Sequence, residues 1–159
     1  VGQFLDKDNG GFFDTEEEVV GIRLKSIEDT PHASANALAI INLIKLSLML
    51  GEEDYLRLAK TALRSFSGST ESMGVHAGYY FCALDSYFNI IKLELKAQPG
   101  TELYNKALSC FYPYKCIVHG EDSGQVIPCD INTCYEPVYT DKKLESFLSH
   151  HHPMEQGKA

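Results

Sequence analysis

No apolar run in this chain is long enough to cross a bilayer. The longest, Ala37 to Leu50, is interrupted by Asn42, Lys45 and Ser47, whereas a helical span needs about 20 predominantly apolar residues. Positive charge is scarce as well: 14 Lys and Arg stand against 22 Asp and Glu, a formal net charge of −8 over 159 residues. There is no basic stripe to meet nucleic acid or an anionic membrane, so neither is expected as a partner. The five cysteines, Cys82, Cys110, Cys116, Cys129 and Cys134, lack the even count and regular spacing of a secreted disulfide framework, which points to a reducing, cytoplasmic setting. The patterns G-x-S-x-G, H-E-x-x-H, the P-loop and a helix-opening G-x-G-x-x-G are all missing, and with them the commonest signatures of hydrolases, zinc proteases and nucleotide-binding proteins. No cofactor and no metal are expected. The chain opens at Val1, not Met, and reads as a piece of a longer protein.

What is present begins with a loop-rich entry over residues 1–33, in which Gly10-Gly11 permits a tight turn or a close backbone approach and Phe12-Phe13 can anchor it. Apolar residues then recur at helical spacing. A first helix is expected over Ala35–Leu50, capped by Ser34 or Asn36 and stopped by Gly51. A second runs to Phe66, opened by Glu52-Glu53-Asp54, and a third, aromatic one covers Met73–Phe88. Cys82 and Cys110 fall in apolar helical patterns and read as core. From Ile90 to Leu95 the period becomes two, as in a strand. A helix over Thr101–Phe111, a short strand at Cys116-Ile117-Val118 and a last helix capped by Thr140 follow. The reading is mainly α: αα-hairpins over residues 1–89, a small βαβ-like terminal unit over residues 90–149, and a disordered tail over residues 150–159.

Three separated motifs carry a resemblance. The first is Gly10-Gly11-Phe12-Phe13-Asp14-Thr15 with Arg23, Lys25 and Asp29 behind it. The second is Pro31-His32-Ala33-Ser34-Ala35-Asn36-Ala37, running into Asn42-Leu43-Ile44-Lys45-Leu46 and Gly51. The third is Cys129 and Cys134 at C-x4-C spacing, followed by Pro137 and Thr140-Asp141. In this order, across residues 4–148, they resemble the C-terminal part of the thioredoxin-domain-containing family that includes spermatogenesis-associated protein 20. Ala33, Ala35 and Lys142 depart from its pattern, which has Pro, Gly or Pro, and Pro at those places. The resemblance implies that the hairpins are part of an (α/α)6 toroid like those of six-hairpin glycosidases and sugar epimerases. It also implies that the remaining N-terminal domains of the same protein, with the thioredoxin-like one, are partners of this segment. The implied function is carbohydrate metabolism, by epimerisation, isomerisation or hydrolysis of a carbohydrate-like small molecule. The alternative is a non-catalytic scaffold or interaction region of a redox-associated protein.

Two carboxylates, Asp14 and Asp29, are the candidate catalytic pair, since acid–base work on sugars uses such pairs. Arg23 and Lys25 are candidate substrate-binding cations, and Ser34 and Asn36 candidate hydrogen-bonding groups at a helix N-terminus. Asp14, Arg23, Lys25 and Asn36 are expected on one concave surface. The bland reading is a salt-bridged loop with ordinary helix capping. Cys129 and Cys134 are open to zinc ligation with Cys116 or His119, to a disulfide, or to a free-thiol state. The turn formers Asp130 and Asn132 between them predict that the two sulfurs lie near one another, as a local clip and not a catalytic site.

Overall fold

Ser34 starts the first long helix. In the computed structural model, which describes residues 2–151, its Oγ accepts from the Ala37 N–H, and α1 (Ala35–Leu50) runs to Gly51, whose φ of 73° gives the left-handed stop that glycine adopts without strain. Replacing Ser34 by Ala removes that cap and the bond its hydroxyl donates to Ser26 O. We expect a loss of about 1 kcal/mol, read as a lower urea midpoint at unchanged slope.

The chain divides into two compact units, Val1–Tyr87 and Phe88–Ala159. In the first, α1 buries Ala37, Ile40, Leu43 and Ile44 and packs on α2 (Glu53–Phe66), which turns Ala59, Ala62, Leu63 and Phe66 inward. A short α3 (Thr70–Met73), a 3-10 turn (Gly74–Ala77) and α4 (Gly78–Asn89) follow. The single helix expected over Met73–Phe88 is split because Gly74 adopts φ 53° and ψ −121°, which no α-helix contains.

In the second unit, β1 (Ile91–Lys96) alternates buried and half-buried residues and lies at the centre of a three-stranded sheet of order β2-β1-β3. Its partner β2 (Lys115–His119) is parallel, with Ile91 opposite Lys115, and is reached through α5 (Glu102–Ser109). The other partner, β3 (Gln125–Cys129), is antiparallel, with Lys92 opposite Cys129. The last helix, α6 (Asp141–His150), starts at Thr140, whose side chain accepts from the Lys143 N–H. One core joins Leu93, Leu95, Leu103, Val126, Leu144 and Leu148.

The toroid of hairpins is therefore corrected. The described residues form an α/β mix of five helices of eight residues or more and a small mixed sheet. Only α1 and α2 pack as a helical hairpin. Gly74 breaks the segment that would begin a second one, and the period-two residues after Asn89 pair as strands. Nor does a tail begin at residue 150: His150 ends α6, and the His151 ring stacks on Phe147 at 4.0 Å. Residues 152–159 lie outside the described part. Cys82, expected in the core, is exposed, and Cys110 is half-buried.

Candidate functional site

The entry loop is folded by its own polar groups. Asp6 O accepts from the Gly10 N–H, and the Asp6 carboxylate accepts from the N–H groups of Asp8 and Asn9, an Asx-type turn. Gly10 and Gly11 follow, both at φ 78°. A Cβ at Gly10 would meet Thr61 Cγ2 at 2.7 Å, and one at Gly11 the Phe66 ring at 2.8 Å. Glycine is thus required twice over, by conformation and by the close approach of α2.

Lys25 closes the loop from outside. Its ammonium lies 2.8 Å from Asp6 Oδ2, donates to Gly10 O at 2.6 Å, and sits 5.9 Å from the centre of the Phe66 ring. The Lys25 ammonium, followed by the Asn9 N–H, holds the Asp6 carboxyl down at about 2 against an ordinary 3.8. Arg23 lies over the Phe13 ring, 4.0 Å from its centre, and donates to Thr15 O and Gln3 O. Both cations proposed to bind substrate are thus engaged in ordering the loop.

Asn36 ties this loop to α1. It is 1 % exposed. Its Oδ1 accepts from the Phe12 N–H at 2.7 Å, and its Nδ2 donates to Phe12 O and Ser26 O at 2.8 and 2.9 Å. Asp29 joins two helix starts: Oδ1 accepts from the Ser34 N–H, and Oδ2 from the Tyr79 N–H in the first turn of α4. A carboxylate there complements the free N–H groups and the helix dipole.

Of the six loop and helix-start candidates, only Asp14 has a side chain without a hydrogen-bond or ion-pair partner among the described residues; its backbone N–H donates to Leu24 O. It lies on the wall of a groove of about 550 Å³ lined also by Phe4, Phe12, Phe13, Asn36, Leu43 and Leu46. Lys25 instead lines a second, more polar pocket of about 710 Å³ with Asn9, Ser26, Glu28 and Ser65. Arg23 lines neither. The common concave surface expected for Asp14, Arg23, Lys25 and Asn36 is therefore not formed. Asp14 and Asn36 share one groove, and the Asp14–Asp29 pair does not line it together. The apolar lining from α1 was missed, as was Asp6. The turn chemistry of Asp6-x-x-Asn9-Gly10 is the sequence signal that marks Asp6.

In the second unit, Cys129 and Cys134 are joined by a disulfide, so they are not thiolate ligands of zinc, and no group of three or more His, Cys, Asp or Glu gathers as a metal site among the described residues. Asp130 shapes the turn between them, accepting from the N–H groups of Asn132 and Thr133 and from the Tyr135 hydroxyl. The Tyr135 hydroxyl is pushed up to about 12, first by that bond to Asp130 and then by burial. No helix among the described residues is long and apolar enough to cross a membrane. Compared with protein-family models, with curated proteins and with solved structures, the chain matches none.

Proposed function

We propose that this chain is a non-catalytic interaction region, and that its groove takes an amphipathic protein segment carrying a Lys or Arg that meets Asp14. The observation that carries this reading is the lining: one carboxylate, without a side-chain partner among the described residues, set among Phe4, Phe12, Phe13, Leu43 and Leu46. Glycoside hydrolysis uses a pair of carboxylates facing the same bond, and Asp29 is spent on two helix starts. Sugar recognition needs several convergent polar groups, yet the Asn36 amide is already committed to backbone partners, which leaves Asn42 as the one amide beside Asp14 in an otherwise apolar lining. A mostly apolar cleft with a single charge suits an apolar anchor with one cation. The remaining domains of the same protein and a reducing, cytoplasmic setting belong to this reading, as does membership of the thioredoxin-domain-containing family that the three motifs resemble.

Peptide-display selection on the full chain tests it. Enriched peptides should share an amphipathic pattern with one basic residue. Asp14→Asn should weaken their binding about tenfold, and Leu46→Glu should abolish it. Peptides indifferent to both substitutions would sink the proposal.

A second reading rests on the polar pocket beside Lys25, where Ser26, Ser65 and Asn9 offer hydroxyl and amide groups to a carbohydrate-like molecule. NMR titration with simple hexoses separates the two. Saturable shifts confined to Lys25, Ser26 and Ser65 would favour this second reading; we expect none.

A further inference from the structure

We propose that Cys134 is a thiol-exchange site, the sulfur through which an external low-molecular-weight thiol opens the Cys129–Cys134 bond, with Cys129 as the sheltered leaving and resolving thiol. The two ends of the bond differ. Cys129 is the last residue of β3 and is 2 % exposed. Cys134 lies beyond the turn and is exposed. Exchange requires an attacking thiolate to reach one sulfur along the S–S axis, so access selects Cys134. Across the sheet Lys92 pairs with Cys129 in register. Directly opposite residues project from the same face, so Lys92 stands on the face of the sheet from which the Cys129 sulfur departs as an anion.

The step balances without a further oxidant. A thiolate RS⁻ attacks Cys134 Sγ, the bond between the two cysteines breaks, and its electron pair stays on Cys129 Sγ. The product is RS–S–Cys134 with a Cys129 thiolate. Attack of that thiolate on Cys134 Sγ expels RS⁻ and restores the clip.

Return is assisted because the turn does not depend on the sulfur bond. Asp130 N–H donates to Thr133 O at 2.9 Å, Asp130 Oδ1 accepts from Asn132 and Thr133 at 2.7 and 2.8 Å, and Tyr135 N–H donates to Pro128 O. These bonds hold the opened cysteines near one another. They also link the site to α6, since the Tyr135 ring packs 5.1 Å from Phe147 and 5.1 Å from His151.

The test treats the full chain, in a Cys82→Ser background to remove an exposed thiol, with reduced glutathione, followed by acid quenching and peptide mapping by mass spectrometry. The adduct should sit on Cys134, and an adduct on Cys129 would overturn the proposal. With glutathione disulfide as probe, Cys134 in the Cys129→Ser variant should react at least tenfold faster than Cys129 in the Cys134→Ser variant. Equal rates in two variants with native circular dichroism would also overturn it. Lys92→Met should slow glutathione opening severalfold while leaving the Cys134 rate in Cys129→Ser unchanged. An opening rate unaffected by Lys92→Met would contradict Cys129 as the leaving sulfur.

Discussion

Replacing Asn36 by Ala should cost the first unit about 3–4 kcal/mol, measured by urea denaturation followed by circular dichroism. One side chain bonds three backbone groups, the Phe12 N–H, Phe12 O and Ser26 O; Ser26 O keeps the Ser34 hydroxyl, so the two Phe12 groups are the ones stranded. Each buried group left without a partner costs roughly 1–3 kcal/mol, and partial rehydration of the loop offsets some of that. The loss should be larger than for Ser34→Ala because water does not readily replace the amide at a site 1 % exposed. Asn36→Asp keeps the acceptor for the Phe12 N–H but sets a carboxylate against two carbonyl oxygens, so it should not rescue. Because Phe12 and Asn36 both line the groove, peptide binding should fail in the same variant. A loss below about 1 kcal/mol would mean that the loop is held to α1 by packing alone.

The second large effect is acid sensitivity at Asp6. Its folded pKa, about 2, lies below the ordinary 3.8. The carboxylate therefore contributes stability above pH 4, and that contribution is lost as pH falls through 2. By linkage at about 1.4 kcal/mol per unit, the contribution is on the order of 2 kcal/mol. Asp6→Asn should flatten stability between pH 4 and pH 2 while lowering it at pH 7. Lys25→Met should lower it at pH 7 by about 2–3 kcal/mol, since it strips the ammonium from a carboxylate that is only 6 % exposed while leaving that charge in place. Denaturation curves at pH 7, 4 and 2 decide this. Parallel pH dependence in wild type and Asp6→Asn would show that the acid transition has another source.

What was legible in the sequence was local. Ser34 and Gly51 mark the two ends of α1 because capping and left-handed stops depend on neighbouring residues alone. Ile91, Leu93 and Leu95 betray a strand because one face of it is buried. Asp130 and Asn132 betray a turn for the same local reason. Partners far apart in sequence were not legible. Lys25 finds Asp6 across 19 residues, and Asn36 finds Phe12 across 24. Both depend on how the entry loop folds back on the helices, and periodicity carries no trace of it. The helical patterns implied hairpins, and only the family resemblance closed them into a ring, which the fold does not form. A helical period shows that a face is buried, but not against what.

The sheet has a consequence for how the chain acquires its shape. Its middle strand, β1, comes first, and neither neighbour is within hairpin reach: β2 waits for the crossover through α5, and β3 arrives later still. No stable pair can form from adjacent sequence. The cost of closing these loops falls before any ladder bonds reward it. By contrast, α1 and α2 are separated by only two residues, Gly51 and Glu52. In refolding, helical signal should therefore recover ahead of protection of the Leu93 and Leu95 amides, and pulse-labelled hydrogen exchange would time the two. While it waits, β1 is a strand with one apolar face and two open edges, so this is the interval in which a newly made chain is most exposed to association with its own copies.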